Sequence, residues 1–229
     1  MTEIFAVSLL STEEFAHLQP ELMKWVPSLT RERIALFARS NDAQRSLLGE
    51  IMARQLLSKA TGQPLPDLPF ATGIKGKPAP DGFQGIHFNI SHSGNWVVVS
   101  LSKAVVGVDV EKMRKVPEGV ARRFFSDAEN QRIEQASDEK EKAEIFFTYW
   151  TLKESFLKAI GTGLTKKLSS FTINETSIGS FTLAGDPEAE GFYLHNFSFA
   201  EGYKLSACSS DPEFCQEVKI LPAKALITP

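Results

Sequence analysis

Cysteine is nearly absent. Cys208 and Cys215 are the only two in 229 residues, and no CxxC or Cys/His cluster surrounds them. That spacing excludes a disulfide framework and a structural zinc site. A reducing, cytoplasmic compartment is the expectation. Long apolar runs are absent too. Stretches such as Trp96-Val97-Val98-Val99 fall far short of the ~20 residues that span a bilayer. The first apolar stretch is short, has no basic flank and runs into Glu13 and Glu14, so no signal peptide and no membrane association are expected. Nor is there a large net charge: 25 Lys and Arg stand against 28 Asp and Glu, for a net −3. This balance argues against general nucleic-acid binding, which needs a basic domain. A local basic patch remains possible within it.

What remains is ordinary globular protein, 42% hydrophobic and 23% charged. At about 150 residues per domain the length fits one large domain or two small ones. Disorder, collagen and coiled coil are excluded.

Asn41 and Gln44 resemble a capping pair opening a helix. Leu47, Leu48, Ile51, Met52, Leu56 and Leu57 then recur at three- and four-residue steps until Gly62 and Pro64. Residues 61–85 are rich in Gly and Pro and read as a long loop. Residues 86–90, 95–101 and 105–110 read as strands, with Ser93-Gly94-Asn95 as a turn. A second cycle follows. Residues 140–160 form a helix with an apolar stripe through Phe146, Phe147, Trp150 and Leu157, and Gly161 stops it. Short strand-like segments occupy 170–173, 180–183, 192–199 and 203–208. With an offset of 107, Asn89, Ser91 and Trp96 fall on Asn196, Ser198 and Tyr203. The shared order of elements predicts two similar α+β halves, 1–104 and 105–229, with a ligand cleft between them.

Four features carry possible chemistry. In Gly107-Val108-Asp109-Val110-Glu111, strand alternation points Asp109 and Glu111 to one face. Two carboxylates there repel unless a cation intervenes, and hard oxygen ligands suit Mg²⁺. A solvated strand face would carry the same pattern. In the helix, Glu154 lies about 20° from Phe147 on a 100° wheel. It therefore sits on the flank of the apolar stripe, with Lys158 one turn on. A carboxylate there needs a partner or a metal; an exposed i,i+4 pair is the bland alternative. Third, Gly76-Lys77-Pro78, the run Phe88-Asn89-Ile90-Ser91-His92-Ser93-Gly94 and Arg45 offer cations and small donors for an anion. Arg45 opposes the macrodipole in the first turns of its helix, which makes sense if it shares an anion with the helix end. Each also has a structural reading, and Ser-His-Ser lacks the GxSxG of a nucleophile elbow. Fourth, Lys112, Arg114, Lys115, Arg122 and Arg123 face a single acid, Glu118, between 112 and 123. An acidic partner surface would complement them; a solvated loop would look the same.

Together Gly76-Lys77-Pro78, FNISHSG at 88–94, GVDVE at 107–111, RFFS at 123–126 and WTLKESFLKAIGTGL at 150–164 resemble the Sfp-type (group II) 4′-phosphopantetheinyl transferases. The resemblance extends over the middle two-fifths of the chain. It implies an α+β fold of two similar halves with the active site between them. It implies transfer of 4′-phosphopantetheine from coenzyme A to a serine of an apo acyl or peptidyl carrier protein, with Mg²⁺ as cofactor. Adenosine 3′,5′-bisphosphate would leave. By matching position, Asp109, Glu111 and Glu154 would hold Mg²⁺. Glu154, Lys158 and Asp109 would be catalytic, Glu154 as metal ligand or general base. Arg45, Lys77, Ser91, His92, Lys158 and, from a looser context, Arg33 would bind coenzyme A. The basic 112–123 stretch would meet the carrier. A two-half chain completes its own cleft, so a monomer is expected. A metal-dependent coenzyme A or nucleotide pyrophosphatase, and a non-catalytic coenzyme A or carrier-binding module, are the competing readings.

Overall fold

The computed structural model describes residues 1–65, 70–72, 78–80 and 85–227. Two sheets organise it. In the first, β1 (Glu3–Ser8) pairs antiparallel with β5 (Trp96–Ser102), and β5 with β4 (His87–Ser93). The second carries β6 (Val106–Lys112), β10 (Tyr203–Ser209), β9 (Tyr193–Phe197), β8 (Ser180–Ala184) and β7 (Thr172–Ser177) in that order, all antiparallel. The strand β11 (Lys219–Leu221) crosses back to pair parallel with β1. A short hairpin, β2 (Phe70–Thr72) with β3 (Pro78–Pro80), interrupts the expected long loop.

The two halves repeat one plan. An opening strand is followed by helices, then a 22-residue helix, then a hairpin that lies beside the opening strand. The first half orders these strands β1-β5-β4 and the second β6-β10-β9. The long helices are α3 (Ser40–Thr61) and α6 (Glu139–Ile160), and each ends at a glycine, Gly62 at φ 73° and Gly161 at φ 74°. That left-handed conformation is one that L side chains rarely take. Asn89 and Asn196 fall on the equivalent strands β4 and β9, and Trp96 and Tyr203 open β5 and β10. The expected two-half α+β architecture is what the chain adopts.

The start of α3 departs from expectation. Arg39 is its N-cap and gives no side-chain cap, so Asn41 and Gln44 are not a capping pair. Gln44 is buried instead, its amide turned toward the Leu10 carbonyl. Ahead of α3 lie α1 (Thr12–Leu22), opened by a Ser11/Glu14 capping box, and α2 (Ser28–Ala35). After β6 come α4 (Val120–Phe124) and α5 (Asp127–Glu134), the latter capped by Ser126 and Glu129.

Burial on both faces explains why β1 is apolar from Ile4 to Val7. Phe5 and Val7 pack with Leu47, Leu48, Ile51 and Met52 of α3. Ile4 and Ala6 face the other way, joining Val98, Val108, Val110, Leu205 and Ala207 in a core shared by both sheets. Fully burying each such aliphatic side chain contributes about 1.5–3 kcal/mol. That shared core sets the two sheets, and therefore their facing edges β4 and β6, in fixed relation.

Candidate active site

Side chains, in place of a backbone ladder, join β4 to β6. Asn89 Oδ1 accepts from the Val108 N–H at 3.0 Å, Ser91 Oγ from the Val110 N–H at 3.2 Å, and Ser93 Oγ from the Lys112 N–H at 3.1 Å. Every second residue of β4 meets every second residue of β6, as the period of two requires. The serines also reach the carboxylates. Ser91 Oγ donates to Asp109 Oδ1 at 3.0 Å, and Ser93 Oγ to Glu111 Oε2 at 2.8 Å.

The helix α6 crosses β6 at very close range. A Cβ on Gly107 would lie 2.5 Å from the Ala159 nitrogen and closer still to the Ser155 carbonyl oxygen. Glycine alone fits this approach. It lets Lys158 span from α6 to β6, where Nζ donates to Asp109 Oδ1 at 2.6 Å, Ser91 Oγ at 2.9 Å and the Val108 carbonyl at 3.1 Å.

These groups line one cavity of about 340 Å³, together with Glu111, Glu154 and His92; Ile90 and Trp150 form its apolar wall. A larger cavity of about 560 Å³ lies at the far end of α3, between Phe5, Leu56, Leu101 and Leu221. Its lining is apolar apart from Gln55, Ser58, Lys59 and the Glu3–Lys219 ion pair, and it brings no two carboxylates together. The chemistry therefore belongs to the smaller cleft.

Its electrostatics are those of a site awaiting charge. Burial pushes the Glu111 carboxyl above its ordinary value, and Asp109 adds to this; the Ser93 hydrogen bond and the cations Arg114 and Lys158 oppose it. Asp109 Oδ2 is buried and has no hydrogen-bond partner among the described residues. A buried carboxylate oxygen without a donor is costly, and a cation would relieve it. Asp109 and Glu111 thus fit a hard divalent ion, which takes one or two carboxylates and completes its shell with water and phosphate. Among the described residues, no three His, Cys, Asp or Glu side chains are gathered tightly enough to enclose an ion by themselves. Here the Lys158 ammonium neutralises Asp109. Glu154 lines the same cavity from α6, its Oε1 buried.

The anion-binding candidates divide. The His92 imidazole is pushed below its ordinary value, first by burial, then by Arg45 and Lys158; its own backbone and Asp42 oppose this. His92 therefore stands within the field of both cations. Arg45 donates to the Gly94 carbonyl at 2.7 Å and pairs with Asp42. This sets its guanidinium against the β4–β5 turn. The Ser91 hydroxyl accepts from Val110 and Lys158 and donates to Asp109, so in this structure it ties the Asp109–Lys158 pair to β4. Arg33 is not brought to this cluster. It donates to Glu50 Oε2 at 2.9 Å, beside Thr30 and Arg54 on the same carboxylate. Lys77 lies outside the described residues.

Lys153, in the same helical motif, is fully buried away from the cavity. Nζ pairs with Glu129 Oε2 and donates to the Leu168 and Phe171 carbonyls, each at 2.7 Å. It lashes α6 to α5 and the start of the β7 segment. Sequence reasoning took the run holding Asn89 and Ser93 as donors for an anion and not as the bridge to β6, and it gave Gly107 no role of its own. The available signal was the alternation Asn89-x-Ser91-x-Ser93 on a strand.

Two carboxylates, one with a buried oxygen open to a cation, and a lysine in one cleft suit phosphate chemistry. Comparison with known proteins gives the particular family. A family model described as the 4′-phosphopantetheinyl transferase superfamily matches residues 105–208, and one described as 4′-phosphopantetheinyl transferase, N-terminal, matches 12–104. The chain is 31% identical over 218 residues to 4′-phosphopantetheinyl transferase Sfp of Bacillus subtilis, covering 95% of both chains. It is 32% identical over 230 residues to 4′-phosphopantetheinyl transferase psf-1 of Bacillus pumilus, covering 99% of this chain and 97% of that one. It is also 34% identical over 155 residues to the mouse L-aminoadipate-semialdehyde dehydrogenase-phosphopantetheinyl transferase, covering 62% of this chain and 50% of that one. The chain belongs to the Sfp-type 4′-phosphopantetheinyl transferase family, and its activity is that family's transferase activity.

Proposed function

We propose that the cleft between β4, β6 and α6 transfers 4′-phosphopantetheine from coenzyme A to a serine hydroxyl of an apo acyl or peptidyl carrier protein, with Mg²⁺ held by Asp109, Glu111 and Glu154. The observation that carries the metal reading is the orphaned, buried Asp109 Oδ2 beside Glu111. An ion held by Asp109, Glu111 and Glu154 would supply positive charge to a pyrophosphate in the cleft. Lys158, its ammonium held by Asp109 and Ser91, turns the N–H now on the Val108 carbonyl to a phosphoryl oxygen. Arg45 and His92 meet a further coenzyme A phosphate at the β4–β5 turn, and Lys77 joins them from the loop. Glu154 accepts the proton of the carrier serine. That serine oxygen bonds to phosphorus, the pyrophosphate P–O bond breaks, and adenosine 3′,5′-bisphosphate departs. The nucleophile comes with the substrate, which agrees with the lack of an activated nucleophile in FNISHSG.

The exposed basic residues Lys112, Arg114, Lys115, Arg122 and Arg123 suit an acidic carrier surface. The halves 1–104 and 105–229 together complete one cleft, which favours a monomer. No helix among the described residues is long and apolar enough to cross a membrane, and a cytoplasmic setting is part of the proposal.

The test is the intact mass of an apo carrier after incubation with the protein, coenzyme A and Mg²⁺. A gain of one phosphopantetheine, lost with EDTA and lost in Asp109→Ala, is expected. Full transfer by Asp109→Ala would remove the metal assignment. Coenzyme A cleavage without carrier modification would favour a pyrophosphatase.

A further inference from the structure

Ser93 makes two hydrogen bonds that no part of the proposed reaction uses. Its hydroxyl accepts from the Lys112 N–H at 3.1 Å and donates to Glu111 Oε2 at 2.8 Å. The first bond fixes where the hydroxyl stands relative to β6. The second then fixes one oxygen of Glu111. A glutamate has three side-chain torsions, and immobilising it otherwise costs conformational entropy. Without Ser93, that cost would fall on the binding of whatever Glu111 grips.

Ser91 does the corresponding work for Asp109. The two hydroxyls, two residues apart on β4, therefore aim the two carboxylates, two residues apart on β6, into one cavity.

We infer that Ser93 is a positioning residue for the cation site, acting through Glu111. The inference rests on the reading that Asp109 and Glu111 hold a divalent ion. Ser93 tests it more cleanly than Ser91. Ser91 is buried, and its loss strands the Val110 N–H and two charged partners. The Lys112 N–H lies at an exposed position, where water can replace Ser93.

The experiment is Mn²⁺ binding followed by electron paramagnetic resonance of the free ion, with coenzyme A present and no carrier. Wild type, Ser93→Ala and Ser93→Thr are compared, and thermal melting of each metal-free protein checks the fold. Removing a hydrogen bond that orients a ligand weakens metal binding by roughly ten-fold or more. That loss is expected for Ser93→Ala at an unchanged melting temperature. Ser93→Thr keeps the hydroxyl on a strand that tolerates branching, and binding within about two-fold of wild type is expected. Equal Mn²⁺ affinity in Ser93→Ala and wild type overturns the role of Ser93 and leaves the metal site standing. A Ser93→Thr variant as weak as Ser93→Ala also overturns it, because the hydroxyl would then not be what matters. No Mn²⁺ binding by wild type overturns the metal reading itself, and this inference with it.

Discussion

Lys158 Nζ lies 2.6 Å from Asp109 Oδ1, a bond that crosses from α6 to β6 and closes the cleft. Both groups are largely buried, so each is the other's main compensation for lost hydration. In Lys158→Met the Asp109 carboxylate keeps only the Ser91 hydroxyl. Breaking a buried pair costs 3–5 kcal/mol, and the partial exposure of Lys158 reduces this to about 2 kcal/mol. Urea unfolding of the metal-free protein measures the loss. Transfer should fall by at least about 100-fold, the usual effect of removing a donor aimed at developing charge. Adding Asp109→Asn should recover most of the stability and none of the transfer. A double variant that regained activity would show that the pair acts only as a brace.

His92 should bind protons when coenzyme A binds. In the free protein its imidazole is held below the ordinary histidine value by burial and by Arg45 and Lys158. Near pH 6.5 the neutral form therefore dominates. A phosphate placed among these cations reverses the local field and raises that value again. Binding then takes up protons, and affinity for coenzyme A strengthens as pH falls toward the ordinary histidine range. Calorimetry in two buffers of different ionisation enthalpy gives the proton count. His92→Gln should take up fewer protons than wild type. Equal counts would place the phosphate away from His92.

The sequence made some of this site readable and concealed the rest for physical reasons. The long helices were legible because their apolar residues recur at helical spacing and a glycine follows each. Asp109 and Glu111 were legible as a pair because a strand sends alternate side chains to one face. Lys158 was legible as the lysine one turn on from Glu154, but the partners of Lys153 and Lys158 were not. The two lysines sit five residues apart in one motif and so face different sides of α6, but partner choice is tertiary: Glu129 for one, Asp109 for the other. Arg33 was named from the resemblance alone, and its Glu50 contact, set by the packing of α2 on α3, is tertiary and had no local signal. The close approach at Gly107 depends on where α6 crosses, which no local pattern encodes. The crossing of β11 to β1 joins segments over 200 residues apart, again beyond any local signal.

The basic stretch from Lys112 to Arg123 begins where β6 leaves the cleft, so a carrier bound there would present its serine near Glu111 and Lys158. Among the described residues, Arg122 pairs with Glu134, and both are well exposed, so that contact is weak. Arg114 and Lys115 are the better candidates for meeting an acidic helix. Exposed charges act over about 10 Å at 0.1 M salt and less at higher salt. Raising ionic strength should therefore raise the carrier KM more than the coenzyme A KM. Arg114→Glu with Lys115→Glu should raise the carrier KM several-fold, by roughly 1 kcal/mol or more of lost complementarity, and should flatten its salt dependence. Because Arg114 also stands near Glu111, Lys115→Glu alone separates docking from any effect on the metal site. A carrier KM that ignores both salt and Lys115→Glu would move the docking surface elsewhere on the rim of the cleft.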